Sequence, residues 1–352
     1  MLEFTKEIYS AHGKFPTKKT LRSFCKNSEL YSQVGQELVR RLICAIWRMV
    51  ELRKQRKECG FPRFKSFDRM NSLNYPQSGF KLEEKLNVTP FGPISIIKHR
   101  EIGGIVKTLA IKREPTGKWF ATFSVETKGK TPKPNTGSAI GIDLGLKTFA
   151  AFSDGTMIKN PRHLRKHEER LAHFQRRLSR KKKGSMNRRK TRLQVARAYE
   201  KIANSRMDFL HKTSTKLVNS HSLIALERLA SQEMAKQQFG KSINDAGWGM
   251  FARMIAYKAE EAGCKVVFVN PKNTSQECSN CHKIVRKGLS VRIHECPHCG
   301  LVLDRDFNAA KNILKRATAG IAGSNACGDL PSSPSGQGIS LKQEEAHDFS
   351  RG

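Results

Sequence analysis

The chain has 352 residues, and its 65 Lys and Arg against 31 Asp and Glu give a formal net charge of +34. A hydrophobic content of 38% excludes wholesale disorder, no apolar run approaches the roughly 18 residues of a membrane span, and Glu3 and Glu7 stand where a secretory signal would be apolar. These features predict about two domains in a cytoplasmic protein without a membrane partner, and bases spread along so much chain point to nucleic acid.

In chain order, Leu38, Leu42, Ala45, Met49 and Leu52 recur at helical spacing, with Arg40, Arg41, Arg48, Arg53 and Lys54 largely on other faces. This predicts a basic amphipathic helix between Gln33 and Glu58, stopped by Gly60-Phe61-Pro62. Strand-like stretches follow at 93–98, 104–113 and 118–126, the last two joined by the turn Glu114-Pro115-Thr116-Gly117. Residues 1–130 therefore form an expected helical plus β domain, closed by a proline-bearing linker over 131–137. A second domain, 138–316, opens with the strand Ala139-Ile140-Gly141-Ile142-Asp143-Leu144-Gly145. Two long helices are predicted over 161–220 with Lys183-Gly184-Ser185 as their turn. Strands at 222–226 and 265–270 around a helix at 248–262 then restore α/β alternation. The stretch 318–352, rich in Gly, Ser and Pro, is expected to be a disordered tail.

Four of the nine cysteines form two C-x-x-C pairs, Cys278 with Cys281 and Cys296 with Cys299, separated by fourteen residues. Two such knuckles suit one tetrahedral zinc, and four thiolates leave that metal no open position, so the zinc is structural. The nearby His282, His294 and His298 are expected in solvent or facing phosphate. Asp143 and Glu227 each close an apolar strand, and Asp306 opens a predicted helix, with Asp304 as its rival. Each acid alone has a plainer reading, as a turn acid, an exposed acid or a helix cap. Gly-Ile-Asp-Leu-Gly also opens actin-like ATPases, although there the glycine leads into phosphate-cradling Thr or Ser hydroxyls and here Leu146-Lys147-Thr148-Phe149-Ala150 follows. Together, three carboxylates in so basic a chain suit two hard cations such as Mg²⁺, the arrangement that activates water and stabilises the leaving oxygen in phosphodiester hydrolysis.

From Arg162 to Arg197 fifteen bases face only Glu168 and Glu169. The densest part, Arg176, Arg177, Arg180, Lys181, Lys182, Lys183, Arg188 and Arg189, is expected to lie along a phosphate backbone. Aromatic residues are sparse there, which favours a duplex or heteroduplex over a stacked single strand.

The order Gly-Ile-Asp-Leu-Gly, basic helical pair, Leu-Glu-Arg-Leu, two-knuckle ribbon, Asp-Arg-Asp-Phe-Asn-Ala-Ala-Lys-Asn-Ile resembles the OrfB/TnpB family of bacterial insertion sequences, over about residues 30–316. The resemblance implies a ribonuclease H-like, RuvC-type nuclease domain with an inserted zinc ribbon at 274–302, preceded by a β-barrel wedge domain with a helical recognition insert. It further implies an RNA-guided DNA endonuclease, associated with the nucleoid of a bacterial or archaeal cell and carrying a guide RNA from the element's own end. Asp143, Glu227 and Asp306 match the family's metal-binding carboxylates, and Cys278, Cys281, Cys296 and Cys299 its zinc ligands. Residues 60–65 and the strands to Glu126 resemble its wedge region. Against the family pattern the chain starts almost directly in helical material, so a shortened N-terminus is expected, and Ala230 and Arg228 stand where other residues are common. The alternative function is a non-cleaving nucleic-acid-binding accessory or repressor in transposition.

Overall fold

The apolar stripe predicted after Gln33 builds the first long helix, because its residues return to one face every three or four positions. The structure, a computed structural model, describes residues 1–323 apart from 27–30, 64, 66–68, 128, 130–131, 133–134, 237–238 and 289. The described residues divide into two compact units, one over residues 1–129 and the other over residues 130–323.

In the first unit α1 (Leu2–His12) and α2 (Lys18–Lys26) precede α3 (Ser32–Lys54). Six short strands follow: β1 (Ser72–Tyr75), β2 (Phe80–Leu82), β3 (Leu86–Val88), β4 (Gly92–Ile94), β5 (Ile105–Arg113) and β6 (Trp119–Glu126). Among the described residues they lie in two separate antiparallel sheets of three strands, β1-β5-β6 and β2-β3-β4. Val34 from α3 joins Tyr75, Leu86, Val88 and Leu109 in the core of this unit.

The second unit is built on a five-stranded mixed sheet. Its strands are β7 (Ser138–Leu144), β8 (Thr148–Phe152), β9 (Met157–Lys159), β10 (His221–Glu227) and β11 (Lys265–Val269), in spatial order β11-β10-β7-β8-β9. The first hairpins are antiparallel, whereas β10 pairs in parallel with both β7 and β11. Between β9 and β10 run α4 (His163–Ser179) and α5 (Met186–Ser220), and between β10 and β11 run α6 (Ser231–Met234), α7 (Gly240–Ala246) and α8 (Trp248–Ala262). A small hairpin, β12 (Ile293–Glu295) with β13 (Val302–Asp304), leads directly into α9 (Arg305–Gly323).

Alternation along the strands sorts the two faces of this sheet. Ile140, Ile142, Ile224 and Leu226 enter one core with Leu210 and Leu217 of α5 and Phe251 and Ile255 of α8. Ala225 and Val269 enter the opposite core with Ile313 and Ala317 of α9. That helix continues to Gly323, so residues 318–323 are not the start of a structureless tail. Ala317 is 1% exposed in the face that meets the sheet, which anchors the helix to that point, and Thr318 to Gly323 extend it. The rest of the expected tail, 324–352, and residues 131, 133 and 134 of the expected linker lie outside the described residues. No helix among the described residues is long and apolar enough to cross a membrane.

Candidate active site

Asp143 and Glu227 sit one residue beyond the register pair Ile142 and Leu226 on adjacent parallel strands. Neighbouring strands are about 4.8 Å apart, and residues at equal height point to the same face. Gly141 and Ala225, two residues earlier on each strand, show which face that is. Ala225 packs with α9, and a Cβ on Gly141 would meet the Ala310 carbonyl oxygen of α9 at 2.2 Å. Both carboxylates therefore share the α9 face, where Asp306 stands in the first turn of that helix.

Asp304 and Asp306 divide the work between them. Asp304 Oδ1 accepts from the backbone N–H of Asp306 at 2.8 Å and of Phe307 at 3.2 Å, so Asp304 caps the helix and leaves the Asp306 carboxylate for other partners. Burial raises Asp143 well above the usual carboxylate range, and the charges of Glu227 and Asp306 add to that rise. Burial also raises Glu227, against the hydrogen bond its Oε1 accepts from Thr274 Oγ1 and the charge of Arg316. Asp143 thus sits buried in the field of the two other acids, which is the environment a multivalent cation relieves. Their chemistry, hard carboxylate oxygen donors gathered on one face of the sheet, fits Mg²⁺.

Residues that sequence reading passed over hold this arrangement. Gly141 admits α9 against β7, and Gly145 makes the β7–β8 turn, where a Cβ would lie 2.8 Å from the Thr148 carbonyl oxygen. The glycines that suggested an ATPase loop are thus required by packing. Asn308 and Asn312, one helical turn apart and buried, fasten the segment entering the ribbon onto α9. Asn308 Nδ2 donates to the Glu277 carbonyl at 2.7 Å and its Oδ1 accepts from Ser279 N at 2.9 Å. Asn312 Nδ2 donates to the carbonyls of Thr274 at 2.9 Å and Glu277 at 2.7 Å. Arg316 reaches back to the carbonyls of Asn270 and Lys272 and to Glu277 Oε2. The Asn-x-x-x-Asn spacing was the available signal, since it puts two amides on one helix face.

The four cysteines meet. Their sulfurs all lie within 4.8 Å of one another, with Cys278 and Cys299 3.6 Å apart and Cys281 and Cys296 3.5 Å apart. Tetrahedral zinc with bonds near 2.3 Å spaces its sulfurs by about 3.8 Å, so the cluster fits that metal. Backbone N–H of Leu301, with help from Asn280, pulls the Cys299 thiol down to about 6. Cys281, although the Lys283 backbone pulls it down, is pushed up to about 12 by burial and the other three sulfurs. Among the described residues this is the only group of three or more metal-ligating side chains gathered so closely; the three carboxylates are more widely spread. His294, expected in solvent, is instead buried: it faces inward opposite Leu303 in the ribbon hairpin, with Nδ1 against Lys287 Nζ. His282 is partly exposed and pairs with Glu277 at 3.0 Å, while His298 is exposed.

The basic residues lie on the antiparallel pair α4 and α5 and the turn between them. Arg176, Arg177, Arg180, Lys182, Lys183 and Arg189 are exposed, and Lys181 is half-buried. Arg188 is different. Its Nη1 donates to the carbonyls of Leu178 at 2.7 Å and Lys181 at 3.0 Å, closing the end of α4. The pair is fixed to the core by Asp245, which is 9% exposed. Both of its carboxylate oxygens accept from Leu164 N at 3.0 Å, and Arg206 donates to it at 3.2 Å.

The chain matches the OrfB_IS605 family model, described as "Probable transposase", over residues 122–238 and the "Cas12f1-like, TNB domain" model over residues 248–313. It is 33% identical to "Putative RNA-guided DNA endonuclease InsQ" of Escherichia coli (strain K12), over 82% of this chain and 74% of that one. It is 37% identical to "Putative RNA-guided DNA endonuclease" of Streptomyces pristinaespiralis, over 78% of this chain and 68% of the relative. A chain in the "Cryo-EM structure of the Cas12f1-sgRNA-target DNA complex" is 17% identical, with 89% of each chain covered and a TM-score of 0.39.

Proposed function

The chain belongs to the OrfB/TnpB family of RNA-guided DNA endonucleases, and from that membership we propose that it cuts DNA at sites selected by a guide RNA. The nuclease is the second unit, read as a ribonuclease H-like, RuvC-type domain with an inserted ribbon. The observation that carries this reading is the convergence of Asp143, Glu227 and Asp306 on the α9 face of a mixed sheet. Asp143, Glu227 and Asp306 would hold Mg²⁺, and Cys278, Cys281, Cys296 and Cys299 a structural zinc. Cations held by these carboxylates would supply an activated water and neutralise charge on the leaving oxygen.

The protein's own residues prepare that chemistry. Thr274 fixes Glu227 by donating to one of its oxygens. Asp304 takes over helix capping and so leaves the Asp306 carboxylate to the site. Burial and the neighbouring acids favour the protonated form of Asp143, and a cation held there would favour its carboxylate instead. Arg176, Arg177, Arg180, Lys181, Lys182, Lys183 and Arg189 meet nucleic-acid phosphates, while Arg188 serves the turn that presents them. Residues 1–130 act as the recognition and wedge module, a role supported by the basic face of α3 and the two small sheets.

The test is to express the protein beside its native flanking DNA and sequence the RNA retained through a high-salt wash. One defined species, with a fixed scaffold and a variable end, is the expected result. Zinc-loaded protein without defined RNA would overturn the guided reading in favour of a DNA-binding accessory in transposition.

A further inference from the structure

Arg305 stands between the capping Asp304 and the site acid Asp306, and its side chain turns onto the latter. Nε and Nη2 donate to Asp306 Oδ1 at 3.2 and 3.1 Å. Nη1 donates to the Val291 carbonyl at 3.2 Å, and the Arg305 backbone N–H donates to the Arg292 carbonyl at 2.7 Å. The other Asp306 oxygen, Oδ2, lies 3.9 Å from Arg292 Nη1. The side chains of Arg305 and Asp306 are only 15% and 13% exposed, so this pair is not a solvent-screened surface contact. An oxygen that accepts two guanidinium N–H groups cannot at the same moment give its lone pairs fully to a hard cation. A fixed positive charge there also repels that cation.

We propose that Arg305 is a positioning residue that works as a counter-ion latch. It holds Asp306 until a divalent cation binds, is displaced from Oδ1 when one does, and so sets the cation affinity of the nuclease site. Because the latch is anchored on the ribbon at Val291 and Arg292, that affinity depends on where the ribbon's outer loop sits relative to the start of α9. The inference rests on the reading of Asp143, Glu227 and Asp306 as cation ligands.

The experiment titrates zinc-loaded, full-length protein with Mn²⁺ and follows free Mn²⁺ by its electron paramagnetic resonance signal. R305Q, which loses the charge, is expected to bind Mn²⁺ about tenfold tighter than the parent chain. R305K, which keeps the charge, stays within about threefold. In a D306N background R305Q adds no further tightening. Zinc content and melting temperature identify any variant that has failed to fold, and if R305Q has, R305M, which also removes the charge, carries the comparison with the same expected tightening. If Arg305 is only a structural clip, R305Q binds Mn²⁺ equally or more weakly, and the latch is overturned. If D143N leaves Mn²⁺ binding unchanged, the carboxylate reading itself fails and takes the latch with it. If D143N weakens binding but R305Q does not tighten it, the latch alone fails.

Discussion

Replacing Gly141 with alanine adds one methyl group at the point where α9 crosses β7. That carbon would lie 2.2 Å from the Ala310 carbonyl oxygen and 2.8 Å from both the backbone N and the Cβ of Leu314. None of these atoms can swing away by a rotamer change, and ordinary contact begins near 3.4 Å, so α9 must retreat by about 1 Å. Overpacking of this kind costs about 1–3 kcal/mol. For a unit of this size each kcal/mol lowers the melting temperature by roughly 2–4 °C, so calorimetry should show a fall of about 2–12 °C. Asp306 rides on the first turn of the displaced helix, and a shift of that size in a reacting group costs on the order of 10²-fold in rate. Gly320→Ala, on the same helix with nothing within 4 Å of its new Cβ, is the control and should melt at the same temperature or slightly higher. A G141A protein that melts and cleaves like its parent would refute the packing of α9 on β7 and the geometry built on it.

The same packing and charges predict three further outcomes. Asp143 has its folded pKa raised above its ordinary value near 3.8, so the folded chain holds a proton that the unfolded chain releases. Stability without divalent cation should therefore fall as pH rises from about 4 into that raised range. Asp143→Asn should remove the fall, and superimposable melting profiles of the two proteins would contradict it. Asp245→Ala leaves Arg206 without its buried partner and α4 without its cap, and should cost about 3 kcal/mol in urea unfolding; a loss under about 0.5 kcal/mol would be inconsistent with that clamp. Neutralising Arg176, Arg177 and Arg180 to glutamine should flatten the salt dependence of nucleic-acid binding by about 0.7–0.9 for each phosphate no longer neutralised, while Arg188→Gln should chiefly lower the melting temperature. Equal effects on the salt slope from both changes would refute the distinction between them.

The site was legible where its signal is periodic. Asp143 and Glu227 close apolar strands, and two-residue alternation puts each on the face opposite Ile142 and Leu226. The cysteine spacing likewise announced a cluster that the fold brings together. Asp304 and Asp306 were interchangeable in sequence because either can cap a helix, and only the backbone N–H groups reveal that Asp304 does so. Asn308 and Asn312 read as ordinary helix polar residues, since their partners come from a segment 29 to 38 residues away. Arg188 counted as one more phosphate contact because composition cannot tell a guanidinium facing solvent from one bonded to carbonyls. His294 was missed because its burial depends on the hairpin and on Lys287 packed against it and not on local polarity, and residues 318–323 were missed because Thr318-Ala319-Gly320-Ile321-Ala322-Gly323 reads as tail composition until it is seen to extend a helix already anchored at Ala317.

The most direct test of guided, carboxylate-dependent cleavage is a duplex cutting assay. Protein carrying its own bound RNA, with Mg²⁺, would be given one DNA that matches the RNA's variable end and one that does not. The matched duplex should be cut by the parent protein and left intact by Asp143→Asn, which retains its zinc and its RNA. Cutting by that variant at the parent rate, or equal cutting of both duplexes, would contradict the account.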